Sequence, residues 1–343
     1  MEATNLTIDD AEELFEHFKF VADPGQKLLR IDKYLCDKLP STSRNRIQLC
    51  AKAGFVKVNE VSVKPNYRIR PGDVVTLEMP FPVRDREIIA EDIPIEIIYE
   101  DDEVLVLNKT AGMVVHPGYG NYTGTLVHGL LYHFQNLPHN GNPARPGLVH
   151  RLDKLTTGVM VVAKTEEALT HLAKQFFDRS TERRYHALVW GDVKEDGTVV
   201  GNLARSLKNR KLMEVYEDPS IGKHAVTHYK VLQRLGYVTL IECKLETGRT
   251  HQIRIHMKSI GHPLFNDLEY GGDKILKGTV FTKYRQFVMN AFKLIPGQAL
   301  HARSLGFEHP KTGKWHQFEK DLPAGFQALV EKWENYSKSS NSK

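Results

Sequence analysis

The stretch from Gly147 to Thr165, GLVHRLDKLTTGVMVVAKT, constrains the fold more than any other. It begins and ends apolar and β-branched, yet its centre, His150-Arg151-Leu152-Asp153-Lys154, holds four ionisable groups in five residues. PGLV before this centre and GVMVVA after it read as strands, with Val159, Val161 and Ala163 alternating against Met160 and Val162. HRLDKLTT is therefore expected to be a loop joining two strands. Loops on a rigid scaffold are where catalytic groups are usually carried. Thr165 then caps a helix with Glu166 and Glu167 in its first turn, where the helix dipole favours anions. Leu169, Leu172, Ala173, Phe176 and Phe177 are expected to form its buried stripe.

The chain has 343 residues, a length that implies about two domains. Hydrophobic content of 41% is enough for packed cores, and the net charge of +5 suits a polyanionic partner. Cys36, Cys50 and Cys243 are odd in number and form no C-x-x-C, which argues against a disulfide framework or zinc ribbon. The acidic N-terminus, MEATNLTIDDAEELFEHF, is no secretory signal, and no apolar run is long enough to span a membrane. The expected location is the cytoplasm, without membrane contact.

Residues 1–25 read as a loosely attached leader with a short helix over Asp10–Phe18. Residues 26–80 read as a small unit of helix, helix, then strands. Leu28, Ile31, Leu35 and Leu39 are spaced for one helix face. Ser43 sits as N-cap of a second helix that buries Ile47, Cys50 and Ala51 and stops at Gly54. FVKVNEVSV, turning at Asn59-Glu60, and DVVTLEM follow as alternating strands. Arg44, Arg46 and Lys52 lie on or beside the second helix, Lys57 begins the first strand, and Lys64, Arg68 and Arg70 follow. Such a patch is either a phosphate-gripping surface or an ordinary solvated face. Residues 81–90 form a charged, Pro-containing linker, 91–335 a larger domain of irregularly alternating strands and helices, and 336–343 a disordered tail.

A second unusual stretch, LETGRTHQIRIHMKSIGHPLFND, lies about a hundred residues beyond Asp153. Thr250 is the expected N-cap of a helix that buries Ile253, Met257 and Ile260 and stops at Gly261 and Pro263. His251 and Arg254 then share another face. A cation in a first turn opposes the helix dipole, so Arg254 needs a partner elsewhere, and Asp153 is the expected one. In ERRYHALVWG, Tyr185, Ala187 and Val189 share one strand face, which suits either a ring presented to a pocket or a core tyrosine. Asp153 alone is compatible with a nucleophile, a base, a metal ligand or a turn former. His251 and His256 are about 140° apart on a helix, so they do not converge on a metal. RSLKNRKLM (205–213) reads either as an RNA-contacting loop or as a solvated hairpin tip.

Two resemblances join these features. LRIDKYLCDKLPSTSRNRIQLCAKAGFVKVNEVSVKPNYRIRPGDVV resembles the RNA-binding module first described in ribosomal small-subunit protein four, carried by Ser43-Arg44, Gly54, Val56, Val58-Asn59 and Gly72-Asp73. Glu60 stands where that family commonly has Gly. His150-Arg151-Leu152-Asp153 with Thr157-Gly158, the stretch Arg183–Gly191, and Gly248–His256 resemble, in order, three motifs of the RluA-type pseudouridine synthases. VLNKTAGMVVHPG, GHPLFNDLEYGG and LHARSLGFEHP match the same family's framework. Thr110 replaces its usual Pro, and Thr157 a frequent Ser.

The resemblance implies an α+β protein. Its catalytic domain would be built on a mostly antiparallel mixed sheet with flanking helices and a central cleft, beside the small RNA-binding domain. It implies an isomerase that converts uridine in RNA to pseudouridine, as a monomer and without cofactor or metal. Asp153 would be the essential carboxylate, Arg254 its clamp and Tyr185 the ring that stacks on a flipped-out base. Arg151 would fill the vacated space or bind phosphate, and His150 would be structural. An N-terminal module of this type points to large-subunit ribosomal RNA. The alternatives are transfer RNA as substrate, a non-catalytic assembly factor, and an aspartate-dependent hydrolase.

Overall fold

A computed structural model describes residues 15–39, 42–79, 88–118, 120–134, 136–139, 145–207, 209 and 212–341. The chain divides into two compact units, Met1–Glu87 and Ile88–Lys343.

In the first unit, β1 (Phe15–Val21), β2 (Leu29–Arg30), α1 (Ile31–Lys38) and α2 (Arg44–Lys52) precede β3 (Val56–Val58), β4 (Val61–Ser62), β5 (Arg68–Ile69) and β6 (Val74–Met79). The main sheet has the order β1-β6-β3-β4, and β2 pairs with β5. Ile31, Leu35, Ile47, Val56, Ile69 and Val75 fill one core between helices and strands. Ser43 caps α2 by accepting from the Arg46 N–H, while Leu28 precedes α1 and is exposed. Asn59 and Glu60 both have positive φ, 48° and 69°, in the β3–β4 turn. The Asn59 side chain ties that turn down, donating to Asp73 at 3.0 Å and accepting from the Val74 N–H at 2.9 Å. This anchoring lets Glu occupy a seat that otherwise favours Gly.

The leader departs from expectation. Residues 15–18, expected to be helical, lie in β1, which pairs antiparallel with β6 along the module's sheet. Phe18 and Phe20 are two residues apart and stacked, a period-two pattern that sheet pairing rewards and a helix does not. Residues 10–14 of the expected helix lie outside the described residues.

The second unit contains β7 (Glu96–Glu100), β8 (Val104–Lys109), α3 (Leu126–His133), β9 (Thr157–Ala163), α4 (Glu166–Asp178), β10 (Glu182–Trp190), β11 (Gly197–Arg205) and β12 (Met213–Tyr216). It continues with β13 (Lys223–Arg234), β14 (Val238–Leu245), α5 (Gln252–Ser259), α6 (Thr282–Phe292), β15 (Leu300–Glu308), β16 (Trp315–Glu319) and α7 (Ala324–Asn341). One ten-stranded sheet runs β12-β11-β13-β14-β10-β15-β9-β8-β7, with β16 beside β15. Every pairing is antiparallel except β9 with β15. The fold is thus α+β on a mostly antiparallel mixed sheet. Both faces of β9 are buried: Met160 and Val162 face one core, Val159, Val161 and Ala163 another.

Three local expectations need correction. PGLV forms no strand, since only Leu148 bridges Val162. Gly147 has φ +66° there, and a Cβ on it would lie 2.6 Å from the Ala163 carbonyl oxygen, so the chain turns tightly instead of running alongside β9. Phe177 is 86% exposed although it was expected in the α4 stripe, which buries Ala168, Leu169, Leu172 and Gln175 instead. Ala173 is also exposed. The tail is helical through Asn341. Buried Phe326, Leu329 and Trp333 nucleate α7 in an aromatic cluster with Tyr284 and Phe287, and a Glu334–Lys338 pair extends it.

Candidate functional site

The loop 150–156 is held from several directions. Leu152 is buried among Tyr185, Ile253 and Met257, pinning the residue before Asp153 in the core. The Asp153 carbonyl accepts from the Thr156 N–H at 3.1 Å, closing a turn. Beneath it, the Lys109 ammonium donates to the carbonyls of Thr110, Met113 and Lys154 at 2.8, 2.9 and 3.1 Å. Burial draws Lys109 down to about 7, opposed by the Asp153 charge. After the loop, Gly158 lies so close to β15 that a Cβ would be 2.2 Å from the Ala302 carbonyl oxygen. Thr157 shares a 2.7 Å hydrogen bond with His301 at this parallel junction.

His150 is engaged by residues outside the loop. Its Nε2 accepts the Val161 N–H at 3.1 Å and its ring stacks on Phe176, with centroids 4.6 Å apart. Burial, aided by Arg183, pulls it down to about 3, so the imidazole is neutral.

Arg254 reaches Asp153 from α5, Nη1 donating to Oδ2 at 3.2 Å. Its other bonds are stronger: Nε and Nη2 donate to Asp267, each at 2.7 Å, and Nη2 to Glu269 at 2.6 Å. The Tyr270 ring covers the guanidinium at 4.9 Å. The Arg254 side chain is only 4% exposed and that of Asp267 fully buried. Burial disfavours the Arg254 charge, but Asp267, Asp153 and Glu269 outweigh it and raise its pKa further. The helix starts one residue later than expected: His251, at φ 55°, is its N-cap rather than Thr250. Gln252 organises that start, accepting from the Thr247 hydroxyl and the Arg249 N–H and donating to Val226 and Thr227. His251 lies 3.9 Å from Asp153 and pairs with the Tyr270 hydroxyl at 2.8 Å. Ile260 is exposed, beyond the end of the helix.

Tyr185 is buried opposite on β10, and burial raises its phenol pKa, countered by Arg183 and reinforced by Asp153. Asp153, Tyr185 and Arg254 line one cavity of about 800 Å³. Arg145, Arg151, Arg179, Arg183 and Arg249 line it too, against the carboxylates of Asp153, Asp178 and Glu246. A concave wall with such an excess of guanidinium attracts and concentrates an anionic ligand. His116, also lining it, is pushed down to about 4 by burial, Arg151 and Arg145.

Asp267, Glu269, Lys109 and Arg183 were not singled out in the sequence. The signal for the first two was present: Asp267-Leu268-Glu269 follows the helix that carries Arg254, a turn that returns two carboxylates to it. Arg44, Arg46, Lys52 and Lys57 belong to the other unit. There Arg44 pairs with buried Asp32 at 3.0 Å and Lys57 with Glu78 at 2.7 Å, while Arg46 and Lys52 are exposed. Lys208, Arg210 and Lys211 of the 205–213 run lie outside the described residues. Among the described residues no group of three or more His, Cys, Asp or Glu could hold a metal ion, and no helix is long and apolar enough to cross a membrane. His256 bonds to Thr227 and His262 to the Trp190 carbonyl.

The family described as RNA pseudouridylate synthase matches residues 103–259, and the S4 domain family matches 29–75. An uncharacterized RNA pseudouridine synthase of Bacillus subtilis is 44% identical over 311 residues, covering 90% of this chain and 96% of that protein. Ribosomal large subunit pseudouridine synthase D of Zymomonas mobilis is 44% identical over 308 residues, covering 88% and 92%. The Pseudomonas aeruginosa protein of that name is 42% identical over 301 residues, covering 88% and 91%. The structure of human RNA pseudouridylate synthase domain containing 4 shares the fold at TM-score 0.54 and 24% identity, over 69% of this chain and 92% of that one.

Proposed function

The chain belongs to the RNA pseudouridine synthase family, and from that premise we propose that it isomerises specific uridines of large-subunit ribosomal RNA, with Asp153 as catalytic carboxylate. The observation that carries the site assignment is Asp153 itself. It faces a basic cavity, with a buried arginine donating to one oxygen and Tyr185 lining the same cavity. The ribosomal substrate is supported by the printed names of the Zymomonas and Pseudomonas relatives and by the S4 match.

The reaction breaks the bond between C1′ and N1 of uridine, turns the ring, and joins C1′ to C5. The C5 proton leaves and N1 gains one. Each course of this exchange needs an anionic oxygen beside the sugar and base, which is the role of Asp153. Arg254 fixes its direction, and Tyr185 stacks on the base within the cavity. The target must first leave its helix, at a cost of a few kcal/mol. Arg151, exposed beside Asp153, fills the vacated space or holds phosphate. The S4 unit adds affinity through Arg46, Lys52 and the charge-paired Arg44 and Lys57, and the enzyme works in the cytoplasm as a monomer.

Site-resolved pseudouridine mapping of cellular RNA with and without the protein tests this reading. One or more large-subunit sites should disappear in its absence. Loss confined to transfer RNA, or no loss, would contradict it.

A further inference from the structure

Arg183 is the odd member of the arginines around the cavity. It stands on β10 two residues before Tyr185 and is only 7% exposed. Arg254, equally deep, is met by three carboxylates. Among the described residues Arg183 makes no ion pair, and its Nε is buried without a hydrogen-bond partner. Its Nη2 reaches only the Glu246 carbonyl, at a long 3.4 Å. Phe176 supports the guanidinium from one side at 5.6 Å. On another side Gly248 makes room: a Cβ there would sit 2.7 Å from Nη1. Burial disfavours its charge most, Tyr185 partly offsets this, and Arg179 disfavours it further. Arg183 also lines the cavity that holds Asp153.

A guanidinium held dry without a counter-anion is costly to the empty protein. Its planar fork matches a phosphate, and a cavity wall gives a phosphate access to it. We propose that Arg183 binds the backbone phosphate next to the target uridine, so that its counter-anion arrives with the RNA. Arg183 is then a substrate-binding residue that draws the flipped nucleotide onto Asp153 and Tyr185. Gly248 is the position that leaves room for the guanidinium in this place. The inference rests on the uridine-isomerising reading and adds the contact that seats the nucleotide.

The test uses an RNA fragment bearing a mapped target uridine, with a neutral methylphosphonate placed 5′ or 3′ of it in turn. Conversion of the unmodified fragment by the wild-type protein tests the functional reading; the comparison below tests Arg183 alone. One methylphosphonate should cost the wild type about thirtyfold in kcat/KM, and Arg183→Gln should cost about the same on unmodified RNA. The two losses should not multiply in combination, because they remove one contact. Arg183→Lys, which keeps a cation, should retain a methylphosphonate penalty. The thermal midpoint of RNA-free Arg183→Gln should equal or exceed that of the wild type, since an unpaired buried charge is removed. Multiplying losses at both positions, wild-type-like conversion by Arg183→Gln, or a midpoint lowered by several degrees would each overturn the proposal.

Discussion

Arg254 gives two of its N–H bonds to Asp267, at 2.7 Å each, and only one, at 3.2 Å, to Asp153. The arginine is thus fixed by a buried carboxylate that does not face the substrate, and Asp153 receives the bond left over. Asp267→Asn should release this anchoring. Turnover should fall about ten- to a hundredfold with little change in KM, and unfolding free energy by about 3 kcal/mol. Steady-state kinetics and urea denaturation measure both; unchanged turnover would mean that Asp153 needs no such clamp.

Lys109 makes stability depend on alkaline pH. Three carbonyls suit its ammonium, yet burial lowers its pKa from 10.5 to about 7. Between those values the unfolded chain binds the extra proton, so this residue makes stability rise with pH through that window. Lys109→Met should flatten the slope by up to about 1.4 kcal/mol per pH unit. Denaturant titrations from pH 7 to 10 would show it; parallel profiles for both proteins would contradict it.

His150 acts on the acid side. Its folded pKa of about 3 lies below the ordinary 6.5. The unfolded chain binds the proton between these values, so stability falls as pH drops through that window. His150→Ala should remove this dependence and cost about 2 kcal/mol at neutral pH, because the Val161 N–H loses its acceptor. Denaturation at pH 7 and pH 4 separates the two effects, and a fully stable variant would refute the account.

Gly158→Ala should be among the most damaging single-methyl additions. The position has φ +117°, and the added Cβ would meet the Ala302 carbonyl oxygen at 2.2 Å. β9 and β15 must part to admit it. A loss of several kcal/mol is expected, seen as a large fall in thermal midpoint or in soluble yield. A midpoint within two or three degrees of wild type would show that the junction yields easily.

Much of this could be read from residue order because local chemistry was unambiguous. Four ionisable groups between apolar runs pointed to a loop, and an arginine in a first turn pointed to a carboxylate partner elsewhere. What escaped depended on distance. Asp267 and Glu269 gain meaning only when a turn returns them to Arg254. Lys109 looks like an ordinary strand-end lysine until burial and three carbonyls surround it. Phe177 shares the apolar character of the α4 stripe but ends on the solvent side, because one residue of rotation at a helix C-terminus decides the face. β1 and the end of α7 run against their polar composition: the stacked Phe18 and Phe20 suit sheet pairing, and the helix anchored by buried Trp333 continues into the polar residues beyond it.

The most direct measurement is conversion of target RNA by Asp153→Asn, read as release of tritium from uridine labelled at C5. The variant should keep the wild-type thermal midpoint within a few degrees, bind the RNA, and release no tritium above background. Appreciable turnover by a folded, RNA-binding Asp153→Asn protein would contradict the assignment of Asp153 as the catalytic carboxylate.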